Sequence, residues 1–271
     1  MLVCTLGDLL LDVIVRLDTR LAPGDDAVAE TTLAPGGQAA NVAAWVTALG
    51  ASARVVAVQA EDDAGAIVGR ELANRGVDVC GPLGGRTGVV VSLVQPDGDR
   101  TMASDRGVAP ELAPDELDPD WFADTDALHL SGYSLMRTPI DESALRAAAL
   151  ARAAGARISV DLSAWTRIRD FGPRPFRERL ERLEPDIVFA NEAEWEIVGG
   201  AYALARTAVI KRGARGITVL GEENAELPIV AGEVVDSTGA GDALAAGFLV
   251  GGPRLALETA ARCVAKLGAM P

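Results

Sequence analysis

The sequence predicts an α/β fold in which helices cover both faces of a mostly parallel sheet. Over the 271 residues, short apolar runs alternate with alanine-rich stretches that have the length of helices. Apolar strands separated by helices are typical of a parallel sheet buried on both faces. Because no linker, repeat or low-complexity tract interrupts the alternation, we expect residues 1–271 to form one domain. The predicted strands are 2–6, 54–58, 127–130, 157–161, 186–190 and 207–211, and the predicted helices include 39–49, 64–75 and 141–154.

Two segments, 12–34 and 86–104, do not follow this alternation and predict a small antiparallel β flap beside the main sheet. The first contains the β-branched triplet VIV at 13–15. The second runs from an apolar stretch into PDGD at 96–99, and Asp-Gly between strand-like runs is a strong hairpin signal. We expect the flap to close over a ligand or to pair with a second subunit in a homodimer.

Charge and composition exclude several classes of partner. The chain has 25 basic and 39 acidic residues, a net charge of −14, whereas nucleic acids and anionic membranes require a basic surface. No apolar run approaches the ~20 residues that span a bilayer, and the first residues lack the features of a secretion signal. The three cysteines are widely separated, which favours reduced thiols and a cytoplasmic location. Because His129 is the single histidine, a metal site built from several histidines cannot form.

A strand, a loop of small residues and an alanine-rich helix follow one another in VVDSTGAGDALAAGF at 234–248. Gly239, Ala240 and Gly241 let backbone amides approach an anion closely, and a helix N-terminus favours negative charge. Asp242 follows at the mouth of this loop. It either caps the helix or takes the proton of a hydroxyl group that attacks a phosphoryl group. Spacing alone leaves these two interpretations open, since short glycine motifs give many false positives.

A second glycine turn, PGGQAANVA at 35–43, opens another alanine-rich helix. Gly36 and Gly37 permit a sharp turn and the close approach of a ligand, while Asn41 offers a donor and an acceptor to hydroxyl groups. Taken alone, this segment is better explained as a plain turn into a helix.

Polar residues follow two further predicted strands. Asn191 and Glu194 come after the strand at 186–190, and ligands of open α/β sheets bind at the carboxyl ends of the strands. An acidic first turn favoured by the helix dipole explains the same residues without a ligand. Lys211 ends the next strand, and Gly213 beyond it is a place where the backbone can approach a ligand closely.

These segments together resemble the PfkB/ribokinase family of carbohydrate kinases. DSTGAGD at 236–242 is similar to the family's C-terminal signature D-T-T-G-A-G-D, and GGQAANVA at 36–43 resembles its N-terminal signature G-G-x-x-x-N-x-A. NEAE at 191–194 resembles the family motif N-x-x-E, and the segment 211–216 resembles the loop that lies along the nucleotide. The resemblance covers essentially the whole chain. It implies a ribokinase-like, Rossmann-like fold with the flap as a lid.

At the acceptor end, the resemblance implies roles for individual residues. Asp242 is the implied catalytic base, and the amides of residues 239–241 form an anion hole for the transferring γ-phosphoryl group. Arg106 lies where relatives place contacts to the acceptor. It either meets the carboxylate of a sugar acid, since arginine suits bidentate recognition, or is simply a charge on a loop. The implied catalytic residues are Asp242, Gly239, Ala240 and Gly241, and the implied acceptor-binding residues are Asp12, Gly36, Gly37, Asn41 and Arg106.

At the nucleotide end, the resemblance implies ATP as co-substrate together with Mg²⁺. Asn191 and Glu194 are implied to organise Mg²⁺ through water, which suits a hard cation that dehydrates reluctantly. Asp236 and Thr238 stand where some members of the family hold a monovalent cation such as K⁺. The residues implied to contact the nucleotide are Asn191, Lys211, Gly213, Thr238 and Gly241.

The sequence therefore predicts an ATP-dependent kinase that phosphorylates a hydroxyl group of a small sugar or sugar acid. A nucleoside kinase and a non-catalytic sugar or nucleotide sensor of the same fold stay open as alternatives. A dinucleotide-dependent oxidoreductase is disfavoured because no GxGxxG follows the first strand. The chain departs from the family pattern at Lys211, where many relatives have threonine, and at Ala60, where a glycine is usual.

Overall fold

The computed structural model describes residues 1–24, 26–97, 100–200, 204–222 and 224–271. A nine-stranded sheet with helices on both faces forms the body of the chain, and a four-stranded sheet lies beside it. The large sheet contains β1 (Leu2–Leu6), β4 (Ser52–Val56), β5 (Asp78–Cys80), β8 (Ala127–Ser131), β9 (Arg157–Asp161), β10 (Ile187–Asn191), β11 (Thr207–Lys211), β12 (Ile217–Leu220) and β13 (Ala225–Leu227). The small sheet, called the flap below, contains β2 (Leu10–Leu17), β3 (Ala29–Gly36), β6 (Thr87–Val94) and β7 (Arg100–Gly107).

The large sheet is parallel except at one edge. Its strand order is β13-β12-β11-β10-β9-β8-β1-β4-β5, and the antiparallel pairs are β11–β12 and β12–β13. β4 and β5 lie on one side of β1 in the sheet, whereas β8 and the strands that follow it in the chain lie on the other side. The strand order therefore reverses direction between β1 and β8. In open α/β sheets, ligands bind at the carboxyl ends of the strands at such a point.

The helices cover the two faces of this sheet with two separate cores. Alternate residues of a strand point to opposite faces, so each central strand contributes to both cores. Phe189 of β10 belongs to the core beneath α1 and α7, while Val188 and Ala190 belong to the core beneath α3 and α5. The backbone of α7 is not helical at Gly251 and Gly252. The helices are α1 (Gln38–Ala48), α2 (Asp63–Asn74), α3 (Ile140–Ala153), α4 (Trp165–Phe171), α5 (Pro173–Leu183), α6 (Glu192–Ile197) and α7 (Ala240–Val264).

The flap consists of two antiparallel hairpins, β2–β3 and β6–β7, which join through parallel pairing of β2 with β6. Local sequence predicted the hairpin in the second of the two segments, but the parallel contact joins segments far apart in the chain and has no local signal. Within the predicted turn at 96–99, Gly98 and Asp99 lie outside the described residues. The flap is thus a four-stranded layer beside the carboxyl edge of the large sheet.

No helix in the described part of the chain is long and apolar enough to cross a membrane. Cys4, Cys80 and Cys263 all carry free thiols. Burial raises the pKa of Cys263 to about 12 and also raises the pKa of Cys4 far above its ordinary value. Because the thiolate is the nucleophilic form, neither buried cysteine is a reactive nucleophile near neutral pH.

Candidate active site

A cleft of about 960 Å³ lies along the carboxyl edge of the large sheet and is bordered by β7 of the flap. Alternate residues of β7 line it from the flap side, as expected for a strand with one face toward a ligand. Each of five parallel strands contributes a polar side chain from its carboxyl end or the residues just beyond. These side chains are Asp8 after β1, Ser131 of β8, Asp161 of β9, Asn191 of β10 and Lys211 of β11.

The structure brings most of the sequence-predicted residues together in this one cleft. Residues from the first 41 positions and from the last 34 positions of the chain meet there, although they lie at opposite ends of the sequence. The predicted residues that line the cleft are Asp12, Gly37, Asn41, Arg106, Asn191, Glu194, Lys211, Thr238, Gly239, Gly241 and Asp242. The predicted residues outside its lining are Gly36, Gly213, Asp236 and Ala240.

The loop before α7 has the backbone shape of an anion cradle. Gly239 has a φ of 74°, in the left-handed region that favours glycine, and a Cβ there would press on Ala269. The amide of Ala240 donates to the carbonyl of Ser237 at 3.3 Å. The amides of Gly241 and Asp242 fall in the first helical turn, where no i−4 carbonyl is available to them. These two amides are therefore better placed than that of Ala240 to bind an anion.

Asp242 is a buried carboxylate at this helix start. Its side chain accepts a hydrogen bond from Nδ2 of Asn41 at 2.8 Å, across 201 residues of sequence. Burial raises the pKa of Asp242 to about 7, the bond from Asn41 opposes the rise, and the nearby charge of Asp161 adds to it. A carboxylate with a pKa near neutral is suited to accept a proton from a hydroxyl group.

The side-chain oxygen of Asn41, unlike its nitrogen, is buried and lacks a partner among the described residues. Among the described residues, no group donates to Oδ1 of Asn41. Buried polar atoms are nearly always hydrogen-bonded, so an orphaned acceptor that faces a cleft indicates a donor supplied by a ligand. A hydroxyl group that donates to Asn41 would lie next to the carboxylate of Asp242.

Gly36 and Gly37, the glycine pair of the N-terminal motif, pack directly against Asp12 and Asp8 and leave no space for a side chain. A Cβ on Gly36 would overlap the carboxylate of Asp12, and a Cβ on Gly37 would overlap the backbone carbonyl of Asp8. Gly37 also has a φ of 93°. Burial raises the pKa of Asp12 to about 6. Gly36 therefore acts through Asp12, which itself lines the cleft.

Arg106 is paired within the protein. Its guanidinium donates two hydrogen bonds to Asp8, both at 2.7 Å, and lies 5.7 Å from the ring centroid of Tyr133. The cleft-lining arginine without a hydrogen bond or an ion pair among the described residues is Arg167 of α4, which is exposed. Burial raises the pKa of Tyr133, and the charges of Arg167 and Arg106 oppose that rise, so both guanidiniums lie near this ring. Sequence reasoning missed Asp8 and Arg167, although Asp8 directly follows the first strand.

A buried ion pair lies beneath the anion loop. Nζ of Lys211 donates to both carboxylate oxygens of Asp161, at 2.9 and 2.7 Å. A Cβ on Gly241 would lie 3.3 Å from this ammonium. Burial favours a lower pKa for Lys211, but the carboxylates of Asp161 and Glu194 raise it above its ordinary value. The ammonium thus stays charged directly under the loop. Asp161 was not predicted, although it ends a buried strand.

Asn191 and Glu194 form a capping box at the start of α6. The side chain of Asn191 accepts from the amide of Glu194, and Glu194 accepts from the amide of Asn191, both at 2.8 Å. These capping residues also line the cleft, so their role at the start of the helix leaves the ligand-binding prediction open. Each bonded oxygen retains a second lone pair, so the two side chains fit a Mg²⁺ ion held through its water molecules. Gly213 lies in a turn beyond β11, outside the cleft lining.

Comparison with known proteins identifies the family. The family description "pfkB family carbohydrate kinase" matches residues 1–270. An ATP-dependent ribose-1-phosphate kinase of Halopiger xanaduensis is 32% identical over 93% of this chain and 86% of its own length. A fructokinase of Escherichia coli is 30% identical over 95% of this chain and 86% of its own length. The chain belongs to the pfkB family of carbohydrate kinases.

Solved structures agree with this assignment. The crystal structure of an adenosine kinase from Sinorhizobium meliloti matches this pfkB kinase with a TM-score of 0.88 and 26% identity, over 99% of this chain and 95% of the other. The predicted family, the ribokinase-like fold and the enzyme class, a phosphotransferase with an alcohol group as acceptor, are confirmed. A non-catalytic sensor is therefore not the function of this pfkB kinase.

The raised pKa of Asp242 makes the stability of this pfkB kinase depend on pH. The folded chain holds a proton at Asp242 up to about pH 7, whereas the unfolded chain releases it near pH 4, so stability falls as the pH rises through that window. The replacement Asp242→Asn removes this loss of stability, because asparagine carries no ionisable carboxyl group. At about pH 8 we expect the variant to have a larger free energy of unfolding than the wild type. The gain should be about 1.4 kcal/mol for every unit by which the pKa of Asp242 in the folded chain exceeds that in the unfolded chain. At about pH 4 the two proteins should be equally stable.

Urea unfolding at both pH values measures this difference. Asp124→Asn, a change at an exposed aspartate, is the matched control and should follow the wild type at both. Equal stability of Asp242→Asn and the wild type at about pH 8 would contradict the burial of a costly charge at this position.

Proposed function

We propose that the chain transfers the γ-phosphoryl group of ATP to a hydroxyl group of a small sugar or sugar acid, with Asp242 as the general base. The observation that carries this proposal is the buried Asn41–Asp242 pair beside the first-turn amides of α7. ATP as the donor is supported by the relative named as an ATP-dependent kinase.

In this mechanism, one hydroxyl of the acceptor donates to Oδ1 of Asn41 and so holds the reacting hydroxyl within reach of the Asp242 carboxylate. Asp242 takes the proton of the reacting hydroxyl as its oxygen bonds to the γ-phosphorus, and the bond from that phosphorus to the bridging oxygen breaks to release ADP. The desolvated setting of Asp242 makes it a stronger base than an exposed carboxylate. The amides of the 239–241 loop hold the transferring group in line, with Gly241 as the best-placed of the three. Positioning and electrostatics thus supply most of the acceleration in phosphoryl transfer.

At the nucleotide end, Asn191 and Glu194 would hold Mg²⁺ through water, and the ion would neutralise phosphate charge. Lys211 lies under Gly241 and adds a fixed positive charge near the same phosphates. Thr238 lines this part of the cleft, and Gly213 lies just beyond it. Closure of the flap would keep water from being phosphorylated in place of the acceptor.

The acceptor end favours a substrate that carries negative charge. Arg106 is neutralised by Asp8, but Arg167 has no carboxylate partner among the described residues. A free guanidinium at the wall of a cleft suits a carboxylate or a phosphate group. A sugar acid or a sugar phosphate therefore fits better than a neutral sugar. A nucleoside is the second candidate, supported by the structural likeness to an adenosine kinase.

Replacement Asp242→Asn tests the base directly. The asparagine keeps the size and the hydrogen bond to Asn41 but cannot take a proton. We expect kcat to fall by about 10²–10⁴-fold, the usual contribution of a positioned base, while ATP affinity measured by calorimetry stays near that of the wild type. Wild-type turnover by this variant would remove Asp242 from the mechanism.

An ATP-coupled screen of ketohexoses, pentoses, sugar acids, sugar phosphates and nucleosides tests the acceptor. We expect the best substrate to be anionic, and Arg167→Ala to raise its KM about tenfold with a smaller change in kcat. Arg146→Ala, a change at an exposed arginine of α3 away from the cleft lining, is the matched control. A neutral nucleoside as best substrate, with no effect of Arg167→Ala, would favour the second candidate.

We further propose a cytoplasmic enzyme that forms a homodimer through the flap. The location is supported by the three free thiols. The dimer is supported by the flap residues Val28 and Leu33, whose apolar side chains are exposed and do not line the cleft. Light scattering at working concentration should give twice the mass of the chain, and Leu33→Glu should reduce it to that of a monomer. A monomeric wild type would exclude this assembly.

A further inference from the structure

The two residues implied to hold a monovalent cation are already bonded to other groups of the chain. Oδ1 of Asp236 accepts hydrogen bonds from the amide of Thr238, at 2.9 Å, and from its hydroxyl. Oδ2 of Asp236 accepts from the amide of Gly268 at 2.9 Å. The carbonyl of Thr238 accepts from the thiol of Cys263 at 3.3 Å. Protein donors thus occupy the oxygens that a metal ion would need.

The positive charge beside Asp236 comes from the flap. Nη1 of Arg100, the first residue of β7, donates to Oδ1 of Asp236 at 2.9 Å, across 136 residues of sequence. The Asp236 side chain is 9% exposed and that of Arg100 is 26% exposed. An ion pair enclosed to this degree is screened by salt less than an exposed pair. The contact joins a strand of the flap to the segment that leads into α7.

A monovalent cation does not fit this arrangement. Each carboxylate oxygen has two lone pairs; Oδ1 of Asp236 already meets three donors, and Oδ2 meets one. A metal ion at Asp236 would have to displace the guanidinium of Arg100 or bear its repulsion. Burial opposes ionisation of Asp236, but the bonds from Thr238 and Gly268 and the charge of Arg100 hold its pKa below the ordinary value.

We propose that the guanidinium of Arg100 takes the place of the monovalent cation and fastens the flap to the loop that binds the phosphoryl group. Asp236 lies three residues before Gly239, so a charge that fixes Asp236 also fixes the start of that loop. Arg100 itself lines the cleft at the start of β7. One contact therefore positions both the loop and the flap. Arg100 acts through Asp236 and is a positioning residue rather than a catalytic one.

Two consequences follow for the enzyme. Phosphoryl transfer should proceed equally well without K⁺, because the charge that K⁺ would supply is covalently attached to the flap. Removal of the guanidinium should open the site to a cation from solution, because Asp236 then lacks one of its four donors.

Steady-state rates in KCl, NaCl and tetramethylammonium chloride at equal ionic strength test the first consequence. We expect the wild type to show the same kcat/KM in all three salts. We expect Arg100→Ala to lower kcat/KM about tenfold in tetramethylammonium, the loss of one charge-assisted hydrogen bond, and to recover with added K⁺ or guanidinium. Arg100→Lys should retain most of the activity without added cation.

The matched control is Arg86→Ala, which removes an exposed arginine of the same region that pairs with Asp105. It should match the wild type in every salt. Stimulation of the wild type by K⁺ over tetramethylammonium would overturn the proposal. Wild-type kinetics for Arg100→Ala in tetramethylammonium would overturn it as well.

The measurement of steady-state rates rests on the proposed phosphoryl transfer. Thermal unfolding in the same salts needs no acceptor and therefore tests the role of Arg100 separately. The wild-type Tm should be equal in K⁺ and tetramethylammonium, and only Arg100→Ala should gain Tm from K⁺. If the salt responses appear but no acceptor is phosphorylated, the proposed function fails and the role of Arg100 stands. A wild-type Tm that rises with K⁺ over tetramethylammonium refutes that role.

Discussion

The burial of the Asp242 carboxylate against Asn41 is the interaction on which the rest of this structure depends. Asn41 lies in α1 and Asp242 lies in the first turn of α7, and these two helices pack together on one face of the large sheet. The 2.8 Å bond between them places the N-terminal glycine turn beside the amides of the C-terminal loop. Without that contact the N-terminal glycine turn and the C-terminal loop would not border one cleft. Burial of this carboxylate away from water is unfavourable for its charged form, and this raises its pKa.

The charges around the cleft fall into two groups with different roles. Asp8, Asp161 and Asp236 are each paired with a cation from a distant segment, namely Arg106, Lys211 and Arg100. Asp12, Glu194 and Asp242 form no ion pair among the described residues, and burial raises the pKa of all three. The paired carboxylates hold the site together. The unpaired ones are those suited to bind an acceptor, a hydrated metal ion and a proton, as expected where perturbed pKa values cluster.

The parts of this site that sequence could predict are those with a local signal. Small residues before α7 and α1, and polar residues at strand ends, are visible as short patterns, and the structure places Asp242, Asn41 and Glu194 in one cleft. The pairing of Arg106 with Asp8 joins residues 98 apart, and that of Arg100 with Asp236 joins residues 136 apart. No local pattern reports such contacts, since they depend on how the flap sits over the sheet. Local patterns therefore do not reveal that Arg106 pairs with Asp8 in the folded chain.

The most direct test of the central claim is the pKa of Asp242 itself, measured by ¹³C NMR titration of protein labelled at its aspartate carboxyl carbons, with Asp242→Asn to assign the resonance. We expect this carboxyl group to titrate near 7 in the free protein, and at a higher pH in Asn41→Ala, which removes the hydrogen bond that opposes the rise. Titration near the ordinary value of about 4 would show an exposed carboxylate and contradict the account.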